Sequence, residues 1–169
     1  AEQYHRDWID WMSDNKMNLF EILTTGERLD GVAFKSAKHP EFCPEGIEQI
    51  FYLTKSAAAY AQKRGMRVYA IFSHPEHFAF VSDKYPELLA KNVIRHHGSD
   101  VVLPIDYFNP KTTEIMSELA EEMTAAFDPD GLDIWFSENR LHALPKEQQS
   151  KSEFIQEADC FCEIMERAK

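Results

Sequence analysis

At 169 residues the chain is long enough to bury one real core, and its 44% apolar and 28% charged residues exclude a disordered segment. A net charge of -11 excludes a nucleic-acid partner, because a phosphate backbone needs clustered Lys and Arg. No apolar run approaches a bilayer span, so no membrane partner is expected, and "AEQYHRDW" reads as neither a signal nor a transit peptide.

Tyr4, Trp8, Trp11 and Met12 recur at helical spacing, so a helix opens the chain, with Trp8 and Trp11 expected in its core-facing stripe. "MNLFEILTT" then reads as a strand interrupted by Glu21, and a loop with Gly26, Gly31 and Pro40 leads to a second helix. That helix presents Ile47, Ile50, Phe51, Leu53, Ala57, Ala58 and Ala61 on one face, with Gly65 at its C-terminal cap. "MRVYAIFS" is the second strand, rich in β-formers. After a long polar stretch, Asn109 and Pro110 open a third helix with the stripe Ile115, Met116, Leu119, Met123 and Phe127. "GLDIWF" is the third strand. Ser150 and Glu153, spaced as a capping box, start a last helix that carries Phe154, Ala158, Phe161 and Met165.

The order α-β-α-β-α-β-α specifies an α/β fold with parallel strands and helical crossovers. Helix-to-strand connections are short, whereas the strand-to-helix connections run to about twenty residues after Thr25 and over thirty after Ser73. Three strands are few for a parallel sheet that needs its faces and edges covered. Residues 1–169 are therefore read as one partial domain, truncated at both ends, made of about three consecutive βα units of a (β/α)8 TIM barrel. The rest of the barrel would lie outside this chain. A small complete three-layer domain is the alternative. Cys43, Cys160 and Cys162 show no disulfide framework and read as packing thiols.

In parallel α/β folds the chemistry sits at the carboxyl ends of strands. Glu138 stands at such an end in "GLDIWFSENR", and His74 and His77 follow the second strand in "SHPEH". One reading of Glu138 is a carboxylate that merely ends a strand, held by Arg140 or a helix N-terminus. The other is a carboxylate that the strand aims into a site. Alternation puts Phe136 and Glu138 on one side of the strand and Trp135 on the other. Ser137, Asn139 and Arg140 beside the carboxylate are candidate substrate contacts, as is Asp106 before the third helix. "HPEH" does not fit the helical two-histidine zinc motif, so neither metal nor cofactor is expected, and no Gly-rich phosphate loop is present. Solvated surface is the reading for His96 and His97.

Four segments in order resemble the catalytic barrel of family-20 glycoside hydrolases, the β-N-acetylhexosaminidases. "YHRDWIDWMSDNKMNLFEILTTGE" looks like their first helix and second strand, and "YAQKRGMRVYAIFSHPEHFAFVSDKYPELLA" is similar to the next helix, strand and loop. "NPKTTEIMSELAEEMTAAF" looks like the following helix, and "GLDIWFSENR" takes the place of the fourth strand. The resemblance implies a hydrolase of O-glycosidic bonds with a carbohydrate substrate and a secreted or periplasmic location. It also implies Glu138 as the general acid and His77 as the loop histidine supporting it. Two positions depart from the family pattern. Ser137 stands where an Asp orients the substrate acetamido group, and Gly26 stands near the place of a second-strand Asp. A catalytically silent carbohydrate-binding barrel, or an unrelated barrel enzyme using Glu138 as a base, are the other readings.

Overall fold

The computed structural model describes residues 1–26, 31–73, 84–89, 93–94, 106, 109–135, 140–141 and 153–167. Three parallel strands form its centre in the order β1 (Leu19–Leu23), β4 (Arg67–Ser73), β6 (Gly131–Trp135). Leu19 pairs with Arg67 and Leu23 with Ile71, while Tyr69 pairs with Gly131 and Ser73 with Trp135. The helix α1 (Glu2–Asp14) precedes β1, α2 (Ile47–Lys63) and α3 (Pro110–Phe127) run between the strands, and α4 (Glu153–Arg167) follows β6 and packs on α3.

The strands bury one face against the helices. Val68, Ala70 and Phe72 of β4 are fully buried there, and Ile22, Leu132 and Ile134 join the same core. The third helix follows its stripe, since Ile115, Met116, Leu119, Met123 and Phe127 are all buried. Asn109 caps it by accepting from the Lys111 amide at 3.1 Å, with Pro110 behind it. In α4, Phe161, Ile164 and Cys160 are buried, with the Cys160 Sγ 3.6 Å from the Thr113 hydroxyl. The three cysteines form no disulfide. The proposed Ser150–Glu153 capping box and Phe154 lie outside the described residues and side chains.

Two helices end in the same hydrogen-bonded hinge. At the end of α2, Gly65 takes φ +81, its amide donates to the Gln62 carbonyl, and the Met66 amide donates to that of Ala61. At the end of α1, Lys16 takes φ +66, with Lys16 donating to Ser13 and Met17 to Met12. Each is a Schellman closure that turns the chain straight into a strand.

Two expectations change. Trp8 and Trp11 are each 50% exposed, because Ile9 and Met12 occupy the inward side of α1 and leave the indoles on its flank. There Tyr4, Trp8 and Trp11 touch edge to face, with centroids 6.3 and 5.5 Å apart. The first strand is also shorter than its apolar run. It stops at Leu23, and Thr25–Gly26 (β2) pairs antiparallel with Gly31–Val32 (β3). Thr24 turns the chain there, donating its hydroxyl to the Ile71 carbonyl at 2.6 Å and accepting the Ala33 amide at 2.8 Å.

Candidate active site

All three central strands are parallel, so the segments that follow them leave from the same end of the sheet. Ser73 and Trp135 are register partners, and the stretches carrying His77 and Glu138 leave from these adjacent positions. Beyond them Val93–Ile94 (β5) pairs antiparallel with Arg140–Leu141 (β7), with Ile94 opposite Arg140. The long connections after β4 and β6 are thus tied to one another. No periodicity in the sequence reports a two-residue ladder, which is why this pairing escaped it.

Glu138, His77, Ser137 and Asn139 lie outside the described residues, as do His74, His96 and His97; Arg140 is described by its backbone alone. Asp106 is half-buried. Its amide donates to the Leu88 carbonyl at 2.7 Å, and its own carbonyl accepts from the Thr112 hydroxyl and the Asn109 amide. Asp106 therefore joins the Pro86–Leu88 turn to the first turn of α3.

That turn, one described part of the β4–α3 connection, is firmly held. Lys111 reaches the Glu87 carboxylate at 2.5 Å and lies 4.9 Å from the Tyr85 ring centre, while the Asn109 amide group donates to the Glu87 carbonyl. The Tyr85 ring stacks on Phe42 at 6.2 Å, and its hydroxyl donates to Glu41. Burial and then the Glu41 carboxylate push the Tyr85 phenol up to about 12.

A second polar group was not singled out from the sequence. His39 lies 2.7 Å from Glu118 of α3 through Nε2 and 3.5 Å from Glu41 through Nδ1. The hydrogen bond from His39, helped by Lys38, holds Glu118 below the usual carboxylate range despite burial. Glu41 also lies low: burial pushes it up, but hydrogen bonds from Tyr85 and its own backbone and the charge of His39 outweigh that. Next to it Glu122 accepts the Ala37 and Lys38 amides at 2.9 and 3.1 Å, together with the Ser36 hydroxyl. The first long connection is thus lashed to α3 by carboxylates accepting from main-chain and side-chain donors. Its role in the described structure is anchoring. The only cue in the sequence was a loop with His39 and Glu41 facing a helix with Glu118, Glu121 and Glu122, a pairing that only tertiary contact reveals.

On the sheet, Leu132 and Ile134 face the helices, so Asp133 and Trp135 stand on the opposite face with Glu21 and Tyr69. The Tyr69 ring lies over Gly131, where an added Cβ would come within 2.8 Å of it. No cluster of His, Cys, Asp and Glu fit for a metal occurs among the described residues, and no described helix is long and apolar enough to cross a membrane.

The sequence matches the pattern of glycosyl hydrolase family 20, catalytic domain, over residues 3–157. No curated protein matches it. Among solved structures, it is similar to a hypothetical protein from Ruminiclostridium thermocellum, with a TM-score of 0.72 at 12% identity over 99% of this chain and 87% of that one. It is similar to Flavobacterium johnsoniae chitobiase, with a TM-score of 0.72 at 20% identity, and all of this chain spans 28% of that one. A family-20 exo-β-N-acetylglucosaminidase from Vibrio harveyi, in complex with N-acetylglucosamine, gives a TM-score of 0.69 at 15% identity, and this chain spans 32% of it.

Proposed function

Because this chain belongs to glycosyl hydrolase family 20 and forms a TIM-barrel fragment of its catalytic domain, we propose that it acts in hydrolysis of an O-glycosidic bond, with Glu138 as general acid. The observation that carries this reading is the register pair Ser73–Trp135, which starts the His77 and Glu138 segments side by side at the carboxyl ends of parallel strands. In this reading His77 supports the carboxyl, and Ser137, Asn139, Arg140 and Asp106 contact the substrate. The partners are a carbohydrate and the remaining βα units of one barrel domain, of which residues 1–169 are a part.

Strand parity sets a condition on this reading. Ile134 faces the helices, so unbroken alternation would send residue 138 to the same side. Glu138 serves as the acid only where the chain leaves that alternation after Trp135. Ser137 also lacks the carboxylate that would orient an acetamido group, which favours a second reading as a catalytically silent carbohydrate-binding barrel.

Glu138→Gln in the full-length protein separates them. Gln keeps the size but donates no proton to a departing alkoxide. kcat/KM for natural glycosides should fall by about 10²–10⁴-fold, while dinitrophenyl glycosides, whose leaving group needs no proton, are nearly spared in bond cleavage. A parallel loss on both substrates removes the acid role. Binding of N-acetylglucosamine without turnover of either substrate by the unaltered protein favours the silent barrel.

A further inference from the structure

Residues 36–41 form a polar loop strung between two buried rings, Phe34 and Phe42. The polar contacts that fasten it to other elements run through Glu41 and through Glu118, Glu121 and Glu122 of α3. Glu122 accepts the Ala37 and Lys38 amides, and it also holds the Ser36 hydroxyl, on whose oxygen the His39 amide donates at 2.8 Å. Glu118 faces the His39 Nε2 at 2.7 Å and the Lys38 ammonium at 3.5 Å, and Glu121 lies 2.8 Å from that ammonium. From the β4–α3 connection, Tyr85 donates to Glu41, while Lys111 and Glu87 pair beside its ring. Ala37, Lys38 and Pro40 are already exposed, so lifting this loop would uncover little apolar surface.

We propose that residues 36–41 are an acid-released strap, which lifts from α3 between its two ring anchors when its carboxylates are protonated, while the sheet stays folded. A neutral carboxyl accepts more weakly than a carboxylate and no longer attracts the Lys38 ammonium. The rings of Phe34 and Phe42 and the buried stripe of α3 carry no group that titrates, so acid removes the fastening before it removes the core. Glu118, hydrogen-bonded by His39, keeps its charge below the ordinary 4.5. So does Glu41, where burial is outweighed by Tyr85, its own backbone and His39. The strap therefore stays closed in mild acid and opens only below it. Protonating Glu41 also weakens the hold of this loop on Tyr85, so one acid step loosens both long connections. The alternative is a fastening that fails only when the whole molecule unfolds.

Amide hydrogen exchange on the full-length protein, expressed as protection so that the intrinsic effect of pH cancels, tells these apart. Between about pH 6 and about pH 3 the Ala37 and Lys38 amides should lose protection severalfold, while Ala70 and Phe72 in β4 keep theirs. Glu118→Gln has no carboxyl to protonate. It should lower protection of the two loop amides already at about pH 6 and shrink their further loss in acid. Glu114→Gln, on the same helix but outside the cluster, should leave both values unchanged. Should Glu118→Gln fail to fold, Glu41→Gln carries the same expectation. Loop protection that is constant with pH, or that falls in step with Ala70 and Phe72, overturns the strap. An acid loss in the folded glutamine variant equal to that of the parent overturns it as well.

Discussion

Glu41 accepts from Tyr85 while lying beside His39, and His39 in turn reaches Glu118, so three segments distant in sequence meet in one chain of polar contacts. The sign of its pH dependence follows from the direction of each shift. Glu41 and Glu118 are held below their ordinary value of 4.5, so their stabilisation is present above that pH and is lost as pH falls through their lowered folded values. The double variant Glu41→Gln, Glu118→Gln should therefore lose less of its urea midpoint than the parent between about pH 5 and about pH 3. Tyr85 behaves in the opposite sense. Its phenol is raised from 10 to about 12, so its stabilisation is complete below pH 10 and disappears as pH climbs through 12. Tyr85→Phe should flatten the alkaline limb of the same titration. Gly31 poses a purely steric test, because a Cβ there would lie 2.3 Å from the Phe42 carbonyl oxygen. Backbone cannot step aside as a flexible side chain can. Gly31→Ala is expected to lower stability by about 1–3 kcal/mol by urea denaturation, and a loss below a few tenths would show that the segment after Gly31 shifts freely.

Among the elements, the helix stripes were the most legible part of the sequence. Ile115, Met116, Leu119, Met123 and Phe127 are buried as their spacing predicts, and Gly65 takes the left-handed conformation its position calls for. Periodicity was less informative about Trp8 and Trp11. It placed them on a helix but could not say that Ile9 and Met12 take the inward side. Composition also misjudged the first long connection, reading as loop what is partly a packed layer containing Phe34 and Phe42, both 1% exposed. The candidate site was legible as position at strand ends, whereas the ladder joining Ile94 to Arg140 was not, since two-residue pairing depends on contact across the fold. One hinge offers an element-scale test. Lys16 holds a left-handed conformation that Gly adopts without a Cβ penalty, so Lys16→Gly should stabilise by up to about 1 kcal/mol. At Gly65 the converse holds: Gly65→Ala should cost about 1 kcal/mol from backbone strain alone, since an added Cβ there meets nothing within 4 Å.

For the molecule as a whole, β1 and β6 are the outer strands of the described central sheet, and exposed apolar side chains gather beside the first of them. Tyr4, Trp8, Met12, Phe20, Ile50 and Ala57 line a groove of about 550 Å³ between α1, α2 and β1. An open parallel edge flanked by such a groove is an association hazard in water. Residues 1–169 expressed alone are expected to aggregate or to bind a hydrophobic dye. The paired substitution Trp8→Lys, Trp11→Lys should reduce the aggregation. A monomeric, dye-silent product with a sharp unfolding transition would show that the remaining barrel units are not needed to cover this surface.

The two hinges at Lys16 and Gly65 have a consequence beyond local stability. Each closes its helix with the same pair of hydrogen bonds, and each passes the chain into a strand of the same sheet. A repeated joint transmits a repeated rotation. Where successive units turn by one constant step, about 45° in an eightfold ring, the array returns to its own starting point without needing a special closing piece. In such a ring the strand ends surround the axis of that rotation, and changing the angle of any one hinge would move every later strand end relative to it.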